Sequence, residues 1–487
     1  MKAFVNRETG TALRLLLAAL VLVSPGCIKG PQYQRPSAPV PQTFKEDPPQ
    51  GWKEAQPSDG VIRGKWWEIF GAPPLNALEE QVNLSNQNVL LAEAQFREAR
   101  AAARVARSAL FPLVTGSPSV TGSQGSSRLS TGPASPQGTY DIPVDASYTA
   151  DVWGSIHRNV AASAGAAQAV AAQLENARLI YRAELAQDYF ELHGMDADAA
   201  LLQQTLQSYQ EYLVLTRSRF AGGVASDSDV AQAETQLYTT QAQLTDLEVQ
   251  RAQLEHAVAI LIGKPPAEFS IPREPIQTSP PQVPVGMPSA LLERRPDIAE
   301  AERQAASANE QIGISKAAFF PTLTLSASAG VQSTSFLNWI AWPSRFWTIG
   351  PQLAELLFDA GRRTAQVAQA QAAYDATAAN YRQTVLTAFQ QVEDNLAALR
   401  VLEKESSVLE QAVKSAERSL AVSTAQYKAG TVSYLQVITS QTIALQDERA
   451  AVDVQTRRMT ASVLLIEALG GGWNSSQLPT SRDVLAQ

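Results

Sequence analysis

Arg219-Phe220-Ala221-Gly222-Gly223-Val224-Ala225-Ser226 returns 207 residues later as Gln426-Tyr427-Lys428-Ala429-Gly430-Thr431-Val432-Ser433. Gly154 with Gly361 and Gly263 with Gly470 keep the same offset. Ala109-Leu110-Phe111-Pro112 meets Ala318-Phe319-Phe320-Pro321 at an offset of 209, so a two-residue length change lies between the anchors. Self-similarity on this scale overrides a domain count taken from length: the 487 residues read as one unit written twice in tandem.

Working outward from the glycines, each repeat carries a long helix that ends there. No proline occurs from Ser155 to Ala221, and Leu185, Leu192, Leu202, Leu206, Tyr209, Leu213 and Phe220 lie on a heptad seam broken only at Asp188 and Thr216. The seam recurs 207 residues on as Val392, Leu399, Leu409, Val413, Leu420 and Tyr427. Such helices are about 100 Å long at 1.5 Å per residue and must lie against other long helices. Gly222-Gly223 and Gly430 can stop them through a left-handed residue. Ser226 with Asp229, and Ser433 with Gln436, read as capping boxes that start the returning helices. The tips at 219–229 and 426–436 are therefore expected to be exposed helical hairpins, and plain helical turns with satisfied caps would account for these residues whatever the function.

Upstream of each long helix the period changes from seven to two. Tyr140, Ile142, Val144, Ala146, Tyr148, Ala150 and Val152 alternate with Asp141, Asp145, Ser147, Thr149 and Asp151. Leu323, Leu325, Ala327, Ala329 and Val331 alternate with Thr322, Thr324, Ser326 and Ser328. About ten residues of strict alternation suit a transmembrane barrel strand with lipid on one side and water on the other, although a soluble half-buried sheet shows the same pattern. With weaker partners after Pro112 and around Trp347, Ile349 and Leu353, the reading is four strands, about 112–123, 139–152, 321–332 and 346–356. Phe336, Trp339, Trp342 and Trp347 form a candidate interfacial girdle. Four strands cannot close without an exposed edge, so several chains must contribute; three chains give twelve strands and room for a channel.

The beginning of the sequence addresses the compartment. Lys2, Arg7 and Arg14 precede an apolar run from Leu15 to Val23 that is too short to span a bilayer and reads as a signal peptide over 1–26. The only cysteine, Cys27, follows at once and resembles a lipoprotein acylation site, with Ser24 where leucine is usual; an ordinary secretory signal is the alternative. With Cys27 acylated, no disulfide or thiol catalysis remains, and His157, His193 and His256 are scattered without metal-ligand spacing. No phosphate loop or nucleophile elbow occurs. No catalytic residue, cofactor or metal is expected, and a net charge of -8 leaves no basic stripe for nucleic acid.

Several stretches together resemble the TolC family of outer membrane efflux proteins, in its OprM/NodT-like lipoprotein branch. They are Gly30-Pro31-Gln32-Tyr33-Gln34-Arg35-Pro36, Lys65-Trp66-Trp67-Glu68-Ile69-Phe70, Leu291-Leu292-Glu293-Arg294-Arg295-Pro296-Asp297-Ile298, Ala308 through Pro321, and Leu469-Gly470-Gly471-Gly472-Trp473. The resemblance implies an α+β membrane protein: a homotrimeric 12-stranded outer membrane β-barrel, four strands per chain, continued by an α-helical coiled-coil periplasmic tunnel. It also implies partners: outer membrane lipid, a periplasmic adaptor (membrane fusion) protein docked on the tips at Gly222, Gly223, Ser226, Gly430 and Ser433, and an inner membrane transporter of the resistance-nodulation-division (RND) type. Tyr427 and Leu435 match positions associated with closure of the inner end. Where relatives often have an acidic residue and an arginine, this chain has Thr439 and Thr442, so closure is expected to rest on packing, with Asp227 and Asp229 as other sources of charge at the tips. Asp229 has a competing role as helix cap.

The expected layout is a signal peptide at 1–26, an acylated Pro-rich segment at 27–75, repeat 1 at 76–264, a Pro-rich linker at 265–290, repeat 2 at 291–472 and a mobile polar tail at 473–487. The expected function is passive conduction of drugs or other small toxic compounds. Metal efflux or type I protein secretion are alternatives within the same fold, a lipid-anchored structural tether is an alternative outside it, and a metalloenzyme is the most distant.

Overall fold

The computed structural model describes residues 30–46, 64–126, 128, 136–275, 279–283 and 287–486. The signal peptide and Cys27 lie outside them. Repeat 1 consists of α1 (Pro73–Ser85), α2 (Gln87–Ser108), the strands β1 (Leu113–Gly116), β2 (Ser119–Ser123) and β3 (Gln137–Ala150), the long helix α3 (Ser155–Ala221) and the returning helix α4 (Asp227–Leu261). Repeat 2 follows with α5 (Leu291–Arg294), α6 (Pro296–Ala317), β4 (Thr322–Ser333), β5 (Arg345–Ala354), α7 (Arg362–Lys428) and α8 (Tyr434–Ala468). The duplication is kept to the residue: α3 and α7 have 67 residues each, and α4 and α8 have 35 each. The glycine pairs 154/361, 223/430 and 263/470 all have positive φ, between 70° and 92°.

The strands form one antiparallel sheet in the order β1, β3, β4, β5, with β2 also pairing β3. β1 and β2 pair successive parts of β3, so they make one strand interrupted at Ser117-Pro118, where proline has no N–H to donate. Four strands is thus the effective number. Cross-strand partners share a face, and the register separates two kinds of row. Val144–Ala329–Trp347 and Ala146–Ala327–Ile349 are apolar; Asp145–Ser328–Thr348 and Ser147–Ser326–Gly350 are polar or small. Val144, Ile349, Trp347 and Leu353 stay exposed on the apolar face. Among the described residues no helix is long and apolar enough to cross a membrane.

At mid-height the returning helices meet the short helices of their own repeat end to end. Asn86 caps α2 by accepting from Asn88 N at 2.9 Å and Val89 N at 3.1 Å, and its Nδ2 donates to Leu261 O at 2.8 Å. In repeat 2 Arg295 takes that place: Nη1 donates to Ala468 O at 3.0 Å while Asp297 holds the rest of the guanidinium. Gly263 and Gly470 turn the chain out of these joints, and a Cβ there would overlap the carbonyl oxygens of Ser85 and Arg294. The main core surrounds the joints; a 3-10 turn at Trp66–Phe70 buries Trp66, Trp67 and Phe70 in it, with Phe70 4.9 Å from Phe190.

Each terminal segment is laid across the repeat to which it does not belong. Residues 30–46 run along α6 and α7, where Tyr33 Oη donates to Glu302 Oε1 at 2.7 Å, Arg35 Nε to Tyr381 Oη at 3.0 Å, and the N–H groups of Lys45 and Glu46 to the Glu393 carboxylate. The expected mobile tail is instead ordered against α2 and α3. It ends in a short helix, α9 (Ser481–Leu485), closed by a Thr480/Asp483 capping box, with Val484 fully buried beside Ala103 and Ala167. Arg100 and Arg107 donate to its backbone carbonyls. One apolar residue and a row of acceptors hold it, which polarity alone does not reveal. The 265–290 linker is likewise anchored: Arg251, paired with Asp196 at 2.6 Å, donates to Ile271 O at 2.8 Å, and His193 Nδ1 lies 2.5 Å from Glu274 O.

Candidate functional site: the helical tips

The two tips lie at the ends of α3 and α7 remote from the sheet and share one backbone solution. Val224 N donates to Arg219 O at 2.8 Å and Gly223 N to Phe220 O at 2.9 Å; Thr431 N donates to Gln426 O at 3.0 Å and Gly430 N to Tyr427 O at 2.9 Å. These are Schellman-type closures with glycine in the left-handed region. Gly222, at φ -81°, is an ordinary residue of the turn and not its left-handed member.

Side chains distinguish the tips. Ser226 and Asp229 form the expected capping box: Asp229 N donates to Ser226 Oγ at 3.2 Å, and Ser226 N donates to Asp229 Oδ2 at 2.9 Å. Asp229 is thereby used as a cap, while Asp227 is exposed in the same first turn. Ser433 makes no side-chain cap, so the second capping box is not formed. What fixes the start of α8 is Tyr434, buried and 5.3 Å from the Tyr427 ring. Burial, with Tyr427 and Tyr209 nearby, holds the Tyr434 hydroxyl protonated well above the usual tyrosine range.

Between the hairpins Tyr209, Leu213, Ala233, Leu237, Tyr427, Tyr434 and Val437 build a small core of their own. Arg219 clasps its end: Nη1 donates to Tyr427 O at 2.6 Å and the guanidinium stands 4.5 Å from the centre of the Tyr427 ring. Tyr212 Oη lies 3.0 Å from Thr424 Oγ1, and Gln236 Nε2 donates to Tyr209 Oη at 3.1 Å and Thr442 Oγ1 at 3.4 Å. The two residues matched to closure are therefore not brought together. Tyr427 is 3% exposed inside its own chain, whereas Leu435 is 57% exposed. Thr439 is exposed, and its hydroxyl donates to Leu435 O within α8. The sequence reading missed Arg219 and Tyr434. Arg219 stands in the duplicated stretch itself, opposite Gln426, and that difference between the repeats was the available signal.

The sheet, two 67-residue helices and clasped tips describe a chain that carries an apolar strand wall at one end and a long helical wall at the other. Consistent with this, the model of the outer membrane efflux protein family matches residues 78–264 and 287–471, and the chain belongs to that family. It is an outer membrane channel protein of the efflux class. The solvent efflux pump outer membrane protein SrpC of Pseudomonas putida is 31% identical over 473 residues, 95% of this chain and 99% of the relative. The pyoverdine export outer membrane protein OpmQ of Pseudomonas aeruginosa is 30% identical over 460 residues, 92% and 96% of the two chains. The solved structure of the outer-membrane channel OprN superposes with a TM-score of 0.84 at 27% identity, covering 92% of this chain and all of that one.

Proposed function

We propose that three copies of this chain close a twelve-stranded barrel and helical tunnel that serves as the exit duct of a tripartite efflux pump. An inner membrane RND-type transporter would supply direction, and a periplasmic adaptor would dock on the tips. The observation that carries the reading is the open sheet: β1 and β5 lie at its two edges, and an apolar face bounded by open edges is stable in lipid only when other strands close it. Exposed Val224 and Phe220 beside Asp227 at the first tip give an adaptor both apolar and charged contacts. Small organic compounds are the favoured cargo, because the relatives named above are named for solvent and for pyoverdine.

Closure of the inner end is proposed to use both residues matched to it, in different ways. Tyr427 would hold the second hairpin against the first within one chain, and exposed Leu435 would meet its counterparts across the axis. Lipid on Cys27 fits the same assembly. Cys27 precedes Gly30 by three residues, a reach of about 10 Å, and Gly30 packs on Gly313 and Arg158, near the helix ends that adjoin the strands. Electron microscopy of the detergent-purified protein tests the proposal. Three-fold hollow particles much longer than wide are expected; a compact or solid particle would overturn it.

A further inference from the structure

The polarity of the strands is fixed by their connections. β3 and β5 run into α3 and α7, and α6 runs into β4, so Ala150, Thr322 and Ala354 mark the periplasmic edge. The opposite strand ends, at Ser123, Gln137, Ser333 and Arg345, mark the exterior edge. Near that edge the apolar face carries the row Ile142–Val331–Arg345. Arg345 is the only charged residue on the apolar face of the described strands. Its guanidinium lies 3.4 Å from the centre of the Trp342 ring, and it forms no ion pair among the described residues. Below it, Trp347 and Ile349 are 77% and 72% exposed; above it, Leu337 and Ile340 are 93% and 80% exposed. Phe336 and Trp339 pack on Tyr140, which also belongs to the apolar face, so the loop folds toward the lipid side.

A lone arginine on a lipid-facing row is costly unless its charge meets an anion at the interface. The sequence stretches that join the strands at this edge, 124–136 and 334–344, contain no aspartate or glutamate, and the first adds Arg128. We propose that Arg345, braced by Trp342, binds the phosphate of a phosphorylated glycolipid in the outer leaflet, while Trp347 and Ile349 take its acyl chains. Guanidinium suits phosphate through paired N–H donors, and indole rings suit the boundary between headgroup and chain. The site continues the face that crosses the membrane and rests on that placement. Neighbouring chains would pair along strand edges and leave this face to lipid.

The test uses the whole protein purified in detergent, with single-channel conductance as an independent check that the barrel has formed. Binding of bisphosphorylated lipid A, dephosphorylated lipid A and phosphatidylglycerol is measured by native mass spectrometry. Wild type should prefer bisphosphorylated lipid A, and both Arg345→Ala and removal of the phosphates should weaken binding about tenfold, the scale of one charge-assisted contact. Equal binding of bisphosphorylated lipid A by wild type and Arg345→Ala, at normal conductance, would overturn the proposal. So would equal binding of the dephosphorylated lipid, or of phosphatidylglycerol, by wild type. The lipid comparison on wild type needs no variant and stands even if Arg345→Ala fails to assemble.

Discussion

The first tip is closed three ways, by its turn, by the Ser226–Asp229 box and by an Arg217–Glu234 ion pair across the hairpin at 2.6 Å. The second has its turn, a Thr431 hydroxyl that donates to Gln426 O and the Tyr427–Tyr434 ring contact, and it leans on its neighbour through Arg219 and Tyr209. Duplication has preserved the backbone closure, which any hairpin of this length needs, and let the side chains diverge into one self-sufficient tip and one dependent tip. The hypothesis that follows is that the second hairpin opens by losing contacts with the first, while the first keeps its shape.

The largest expected effect is from Tyr427→Ala. Removing a buried ring from a small core costs about 3–5 kcal/mol of packing, and cells should become susceptible to a large antibiotic that the intact outer membrane excludes. Unchanged susceptibility at normal protein level would mean that this core does not hold the second hairpin. Gly430→Val comes next, since a β-branched residue at φ 79° costs on the order of 1–3 kcal/mol. Trimer yield and dye export should both fall, and Gly223→Val should do the same, because the turn is common to both tips; a defect in only one would break the shared-backbone half of the comparison.

Arg219→Ala should leak less than Tyr427→Ala. It loses one hydrogen bond and one cation–π contact, together about 1–2 kcal/mol, and leaves the aromatic core in place. Leakage as large as that of Tyr427→Ala would make Arg219 the principal fastening. The smallest effects test the caps. Ser226→Ala should weaken the start of α4 by about 1 kcal/mol, seen as faster amide exchange in its first turn, whereas Ser433→Ala should leave α8 unchanged. Equal changes at both would show that the second tip has a cap in solution.

What could be read from sequence followed the range of the interaction that encodes it. Both long helices, the four strands and the tip glycines were legible because a heptad, an alternation and a left-handed turn are written locally. Pro118 splits the first strand because it has no N–H for the ladder, a local fact that alternation around it did not bring out. The clasp between Arg219 and Tyr427 spans 208 positions, and no period links them. The tail was misread for the same reason: five residues of helix give no pattern, and what orders them is a groove made by α2 and α3. Ser433 shows the opposite error, where local spacing promised a box and the burial of Tyr434 did the work instead.

The crossed terminal segments carry a consequence for the order of events in time. Arg100 meets a carbonyl at Asp483, 383 positions further along the chain, so the outer groove of the first repeat can be filled only after both repeats have been made. The second repeat faces no such delay, since residues 30–46 are already present when α6 and α7 arrive. The hypothesis that follows is that the first half settles only once α9 is in place, and a polypeptide cut short before Ser481 should leave Ala103 and Ala167 uncovered, seen as faster proteolysis of α2; unchanged proteolysis would sink it.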